Sequence, residues 1–154
     1  MMKRPRVDYS GFALSRLGSP QFSHLLLLAG WPVYFVFYFI TENLIPAERF
    51  HEIHCGLDDL IPFNEFFLVF YAGWYLLIAG SLLYTLLYDA GEFKCLQTYI
   101  IITQIIGVIV YFVYPSAQYL RPEVFPRENF FTYVLGLIYR FDTNTGVFPS
   151  MHAA

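Results

Sequence analysis

The stretch "RFDTNTGVFPSMH" (140–152) sets an acid, three hydroxyl side chains, an amide and a histidine in a chain that is otherwise oily. Ser150 follows Pro149, and "SMHAA" has the composition of a helix start. A cap hydroxyl and the unpaired N–H groups of a first turn can wrap an anion. His152, with an unperturbed pKa of about 6.5, suits a proton donor to a leaving oxygen. A histidine at a helix start with no chemical task fits the same residues equally well. Asp142, Thr143 and Asn144 are residues that shape turns and would form the entry to this stretch. Upstream, "YLRP" offers the planar fork of Arg121, matched to phosphate oxygens, on a backbone stiffened by Pro122. Taken alone, an arginine snorkelling toward head groups explains that pair. One further cluster invites chemistry: His51 and His54, a helical turn apart, with Glu52, Cys55, Asp58 and Asp59 beside them. A metal needs ligands that converge, and the spacing alone reads as a solvated acidic loop. No metal or other cofactor is expected.

The elements that must position these residues belong to a membrane protein. The chain is 57% hydrophobic and 14% charged, against about 25% charged in average soluble chains. Windows 22–41, 66–88 and 97–115 contain no Lys, Arg, Asp or Glu. Each is close to the roughly 20 residues that span a hydrocarbon core, where backbone groups must pair internally and helix is required. The fold class is therefore all-α: a polytopic bundle of three transmembrane helices. Residues 1–21 form an N-terminal segment and 22–154 a membrane domain. The first window lacks a small-x-small cleavage site and is too long for a signal-peptide core, so it is an uncleaved span. Pro32 should kink it. In the second, Ala72, Gly73, Ala79, Gly80 and Ser81 should permit close helix approach, and in the third Thr103 and Gln104 should hydrogen-bond between helices. "FFTYVLGLIY" (130–139) is helical but too short to cross, hence interfacial, re-entrant or tucked beneath a loop.

Charge layout orients the chain. Lys3, Arg4, Arg6 and Arg16 precede the first span, against Asp8 alone. The loop 42–65 has Arg49 against Glu42, Glu48, Glu52, Asp58, Asp59 and Glu65. The positive-inside rule places the N-terminus in the cytoplasm and the loops at 42–65 and after Pro115 outside, in a cell-membrane protein. The link 89–95 then returns to the cytoplasm, which puts Cys55 and Cys95 on opposite faces and precludes a disulfide between them.

Arg121-Pro122, then "RFDTNTG", then Pro149-Ser150-x-His152, all after a third span, together resemble the type 2 phosphatidic acid phosphatase superfamily, in its inositol phosphorylceramide synthase-like branch. "LDDLIPFNEFFLVFYAGWY" (57–75) is similar to that branch as well. The resemblance covers about residues 55–154, the front of a six-helix core, with a further helix starting near residue 150. It implies a lipid phosphatase or phosphotransferase acting on a lipid phosphate or diphosphate, without metal. It implies also that Arg121, Ser150 and the Met151 amide hold phosphate and that His152 protonates the leaving alcohol. Two positions depart from the family motifs: Tyr114 stands where the first motif has lysine, and Met151 where the second has glycine. The third motif, Ser-Arg-x5-His-x3-Asp, has no counterpart in the 154 residues, so the expectation is a truncated, catalytically incomplete chain. Nothing points to nucleic acid; the expected partners are membrane lipids. A different class stays open: a non-enzymatic assembly or regulatory protein whose outer loop binds anionic head groups. A transporter fragment is weaker, because the spans hold no charge to mark a pathway.

Overall fold

The computed structural model describes residues 7–152. It is an all-α bundle. Helix α1 covers Gly30–Asn43, α2 Phe67–Tyr88, α3 Ala90–Val113 and α4 Phe130–Phe141. Two short strands, β1 (His51–Glu52) and β2 (Ser116–Ala117), pair in parallel. Three helical stretches, Ser23–Asn43, Phe67–Tyr88 and Ala90–Val113, are 21, 22 and 24 residues long and apolar enough to cross a membrane. The charges Lys3, Arg4 and Arg6 lie outside the described residues, as do Ala153 and Ala154 of the expected further helix, of which Met151 and His152 form a turn.

The distribution of polarity is that of a protein solvated by lipid. Among the described residues, seven buried side chains are polar or charged and five are hydrophobic, while Phe35, Leu76 and Ile106 face outward. Helices apolar all round have no reason to hide that surface from hydrocarbon. Helix α3 packs against both α1 and α2 and so lies between them. Its buried residues Phe93, Gln97, Gln104, Gly107 and Tyr111 recur at helical spacing along the inward side.

Several local expectations change. The first span begins as a 3-10 helix, Ser23–Ala29, and becomes α-helical only at Gly30. Pro32 therefore sits in the first turn of α1, where its missing N–H is no loss, rather than at a mid-helix kink. The link 89–95 shrinks to Asp89, because 90–95 are already helical; its carboxylate caps α3 by accepting from the Gly91 and Glu92 N–H groups. Thr103 bonds within its own helix, to the Ile100 carbonyl. The interhelical polar contact falls instead to Gln97, which accepts from Trp31 Nε1 and donates to the Leu27 carbonyl, both at 3.3 Å. Gly73 and Gly80 face open space within this chain. Close approach occurs at Gly30, where an added Cβ would stand 2.7 Å from Ile101.

The segment before the first span is folded onto the bundle. Val7 N–H donates to the Leu87 carbonyl, and the Tyr9 hydroxyl to the Leu86 carbonyl at 2.6 Å while meeting His24 Nε2 at 2.9 Å. His24 thus has a partner that sequence spacing did not reveal. Cys55 and Cys95 are both free.

Candidate functional site

The opposite end of the bundle carries the loops 44–66 and 114–152, and the backbone of residues 115–118 ties them together. On one side His51 N–H donates to the Pro115 carbonyl and Ile53 N–H to that of Ala117. On the other, Gln118 N–H donates to the Asn144 carbonyl and Gly146 N–H to that of Ser116, with an antiparallel bridge between Ala117 and Thr145. Gly146 makes that turn with φ of 62°, the left-handed region that only glycine enters without strain.

Arg121 fastens the turn to α4. Its Nη1 donates to the Asp142 carbonyl at 2.6 Å, and its Nη2 to Asp142 Oδ2 at 2.9 Å and the Thr143 carbonyl at 2.6 Å. The guanidinium lies over the Tyr139 ring, 4.4 Å from its centroid. The fork expected to meet a phosphate thus commits three of its five N–H groups to the loop itself. Thr143 extends the network, donating to Glu42 Oε1 at the end of α1 at 2.6 Å and meeting Thr145 Oγ1 at 2.7 Å.

From there the chain dips back toward the helices. Ser116 Oγ accepts from Phe148 N–H and donates to its carbonyl, and Tyr111 on α3 donates to the Pro149 carbonyl at 2.9 Å. Met151 is the residue against Gly107: a Cβ there would stand 2.7 Å from its sulfur. His152 reaches α2, where the rings of Trp74, Tyr71 and Tyr75 lie 4.7, 5.0 and 5.7 Å from it. Its Nε2 is 3.4 Å from the Tyr75 hydroxyl, which meets that of Tyr71 at 3.0 Å. His152 remains exposed on one side, but partial desolvation against these rings lowers its pKa below the usual imidazole value, and the Asp142 carboxylate opposes that shift. Ser150 is exposed and has no hydrogen-bond partner among the described residues.

Of the sequence candidates, Asp142, Thr143 and Asn144 lie in the segment that Arg121 and the Gln118 N–H hold. Pro122 follows the Arg121 clamp, and Pro149, Ser150, Met151 and His152 form one short segment held by α3 and α2. The histidine pair does not converge on an ion: His51 stacks on Tyr114 with centroids 4.3 Å apart, and His54 pairs with Asp59 at 2.9 Å. Among the described residues no three His, Cys, Asp or Glu side chains form a group that could hold a metal. Sequence reasoning missed the aromatic cradle of His152, although Tyr71, Trp74 and Tyr75 stand at i, i+3 and i+4 and so share a helix face. It also missed Glu65, 1% exposed, whose Oε1 accepts from Asn129 Nδ2 at 2.9 Å and lies 3.4 Å from Arg127 Nε. No sequence signal links 65 to 129.

Fold and site together define a membrane-embedded helical protein with a polar, cross-linked loop layer at one end of the bundle. Comparison with protein-family models, with curated proteins and with solved structures gives no match.

Proposed function

We propose that the chain is a member of a membrane lipid phosphatase or phosphotransferase family that acts on a lipid phosphate. The reading has the loop layer outside the cytoplasm and Ser150, Met151 and His152 facing a lipid phosphate. The observation that carries it is that the only exposed hydroxyl and the only histidine of the 140–152 stretch occupy one segment pinned by Tyr111, Gly107 and the α2 aromatics. Ser150 and the neighbouring amides would grip phosphate oxygens. His152 would act as general acid. Its lowered pKa makes it mostly neutral when the site is empty, and a phosphate dianion beside it would restore the imidazolium needed to protonate a leaving alcohol. Arg121 then acts through the loop, holding Asp142 and Thr143 in place. On this reading the 140–152 stretch supplies the grip and the acid.

The test is binding rather than turnover. Orthovanadate, a tetrahedral phosphate stand-in, should shift the Ser150 and Met151 amide resonances and raise the His152 pKa, and Ser150→Ala should weaken both effects. Vanadate that leaves His152 untouched would sink the reading.

The non-enzymatic alternative gives His152 no chemical role. On that reading anionic vesicles bind the loop equally well with and without His152.

A further inference from the structure

Helix α4 is packed on one side and bare on the other. On the packed side Phe131 meets Phe66 with centroids 5.1 Å apart, Thr132 is buried, Gly136 lies against Phe125, and Tyr139 stacks between Phe125 and Arg121. On the bare side Phe130, Tyr133, Leu137 and Phe141 are 73, 66, 37 and 88% exposed. These positions, i, i+3, i+7 and i+11, form one stripe of an α-helix. Three aromatics on an exposed stripe require a cover.

We propose that the cover is the bilayer itself: α4 is a membrane-interface anchor, lying with this stripe in the boundary between head groups and acyl chains. Three observations select lipid over a protein partner. The first is depth. Asn129, the N-cap of α4, donates to Glu65, and Phe131 packs on Phe66, immediately before α2 begins at Phe67. Helix α4 therefore starts at the level where a membrane-spanning helix enters the bilayer. The second is continuity. Phe131, which is in ring contact with Phe130 of the stripe, packs on Phe66, and Phe66, Phe67 and Phe70 at the start of α2 are themselves half or more exposed. The third is composition. Phe and Tyr interleave with Arg140 on the helix and Arg127 just before it, and a helix of 12 residues, about 18 Å long, can lie in the boundary but cannot cross.

The anchor and the loop are one mechanical unit. Glu65 holds the start of α4, and Arg121 bridges Tyr139 to Asp142 just past its end. Lipid that seats the stripe also seats the turn leading to Ser150 and His152. This inference is independent of the phosphatase reading, because it uses no property of His152.

The test places a nitroxide label at single cysteines replacing Tyr133 or Leu137, in a Cys55→Ser/Cys95→Ser background, with the protein in phosphatidylcholine–phosphatidylglycerol vesicles. A label replacing Glu128, exposed in the loop before α4, serves as the aqueous reference. Collision with oxygen should dominate over collision with a water-soluble nickel chelate at 133 and 137, and the ratio should reverse at 128. Nickel-dominated collision at all three sites would overturn the proposal, placing the stripe in water. Shielding of 133 and 137 from both reagents would overturn it too, and would assign the face to a protein partner or a second copy.

Discussion

Replacing Arg121 with alanine should loosen the loop layer without unfolding the bundle. The side chain makes one ion pair, two bonds to main-chain carbonyls and one stacking contact. The pair with Asp142 is partly exposed, so solvent screening reduces its worth to about 0.5–1 kcal/mol. The two charge-assisted carbonyl bonds contribute about 1 kcal/mol each at this exposure. The guanidinium over Tyr139 adds about 0.5 kcal/mol. Together they come to about 3 kcal/mol of local stability, or a roughly hundredfold change in the opening equilibrium. The assay is amide hydrogen exchange at Gln118 and Gly146, whose N–H groups donate to Asn144 and Ser116 across the region that Arg121 holds. Both should exchange roughly a hundred times faster in Arg121→Ala, with α3 amides unchanged. Arg121→Lys keeps the charge but loses the fork, and should recover only part of the protection. Exchange within threefold of the parent at both amides would refute the assignment of Arg121 as a clamp.

Four further outcomes follow from the same geometry. His152 has a lower pKa docked than free, so its undocked form takes up the proton first. Docking against α2 should therefore weaken as pH falls below about 6.5, levelling off below the docked pKa; Trp74 fluorescence in a Trp31→Phe background reads this, and a pH-independent signal would contradict it. Gly107→Val should expel Met151 and move the His152 resonances toward those of an exposed histidine, whereas Gly73→Val, facing open space, should leave them in place. The Glu65 pKa is lowered, by its own main-chain N–H first and then by Asn129 and Arg127, so its tie to α4 is complete above about pH 4.3 and lost as pH falls through the lowered value. Glu65→Ala should abolish that acid-dependent step in α4 amide protection. Trp31→Phe removes the hydrogen bond to buried Gln97 and should destabilise the α1–α3 contact by about 1 kcal/mol, measured by unfolding in mixed micelles.

How much of this was legible beforehand depended on the range of the interaction. Charge-free runs of about 20 residues dictate membrane helices because no other backbone arrangement satisfies its hydrogen bonds in hydrocarbon. The three spans could thus be read directly, and helical spacing indicated a short helix at 130–139, which the structure carries on to Phe141. The remainder depended on which surfaces met. Pro32 looked like a kink because sequence does not show that the preceding turn is 3-10. Gly73 and Gly80 looked like packing sites, yet a small residue only permits an approach, and it was Gly30 and Gly107 that used it. Arg121 looked like a hand extended to phosphate, but three acceptors from a loop 21 and 22 residues away claimed it first. His152 could be singled out by type; its aromatic surroundings could not, because they come from α2, 77 residues earlier. Sequence determined that the chain enters the membrane and where its polar groups cluster, through local and one-dimensional physics. Only the tertiary structure decided which polar groups satisfy one another and which, like Ser150, are left facing outward.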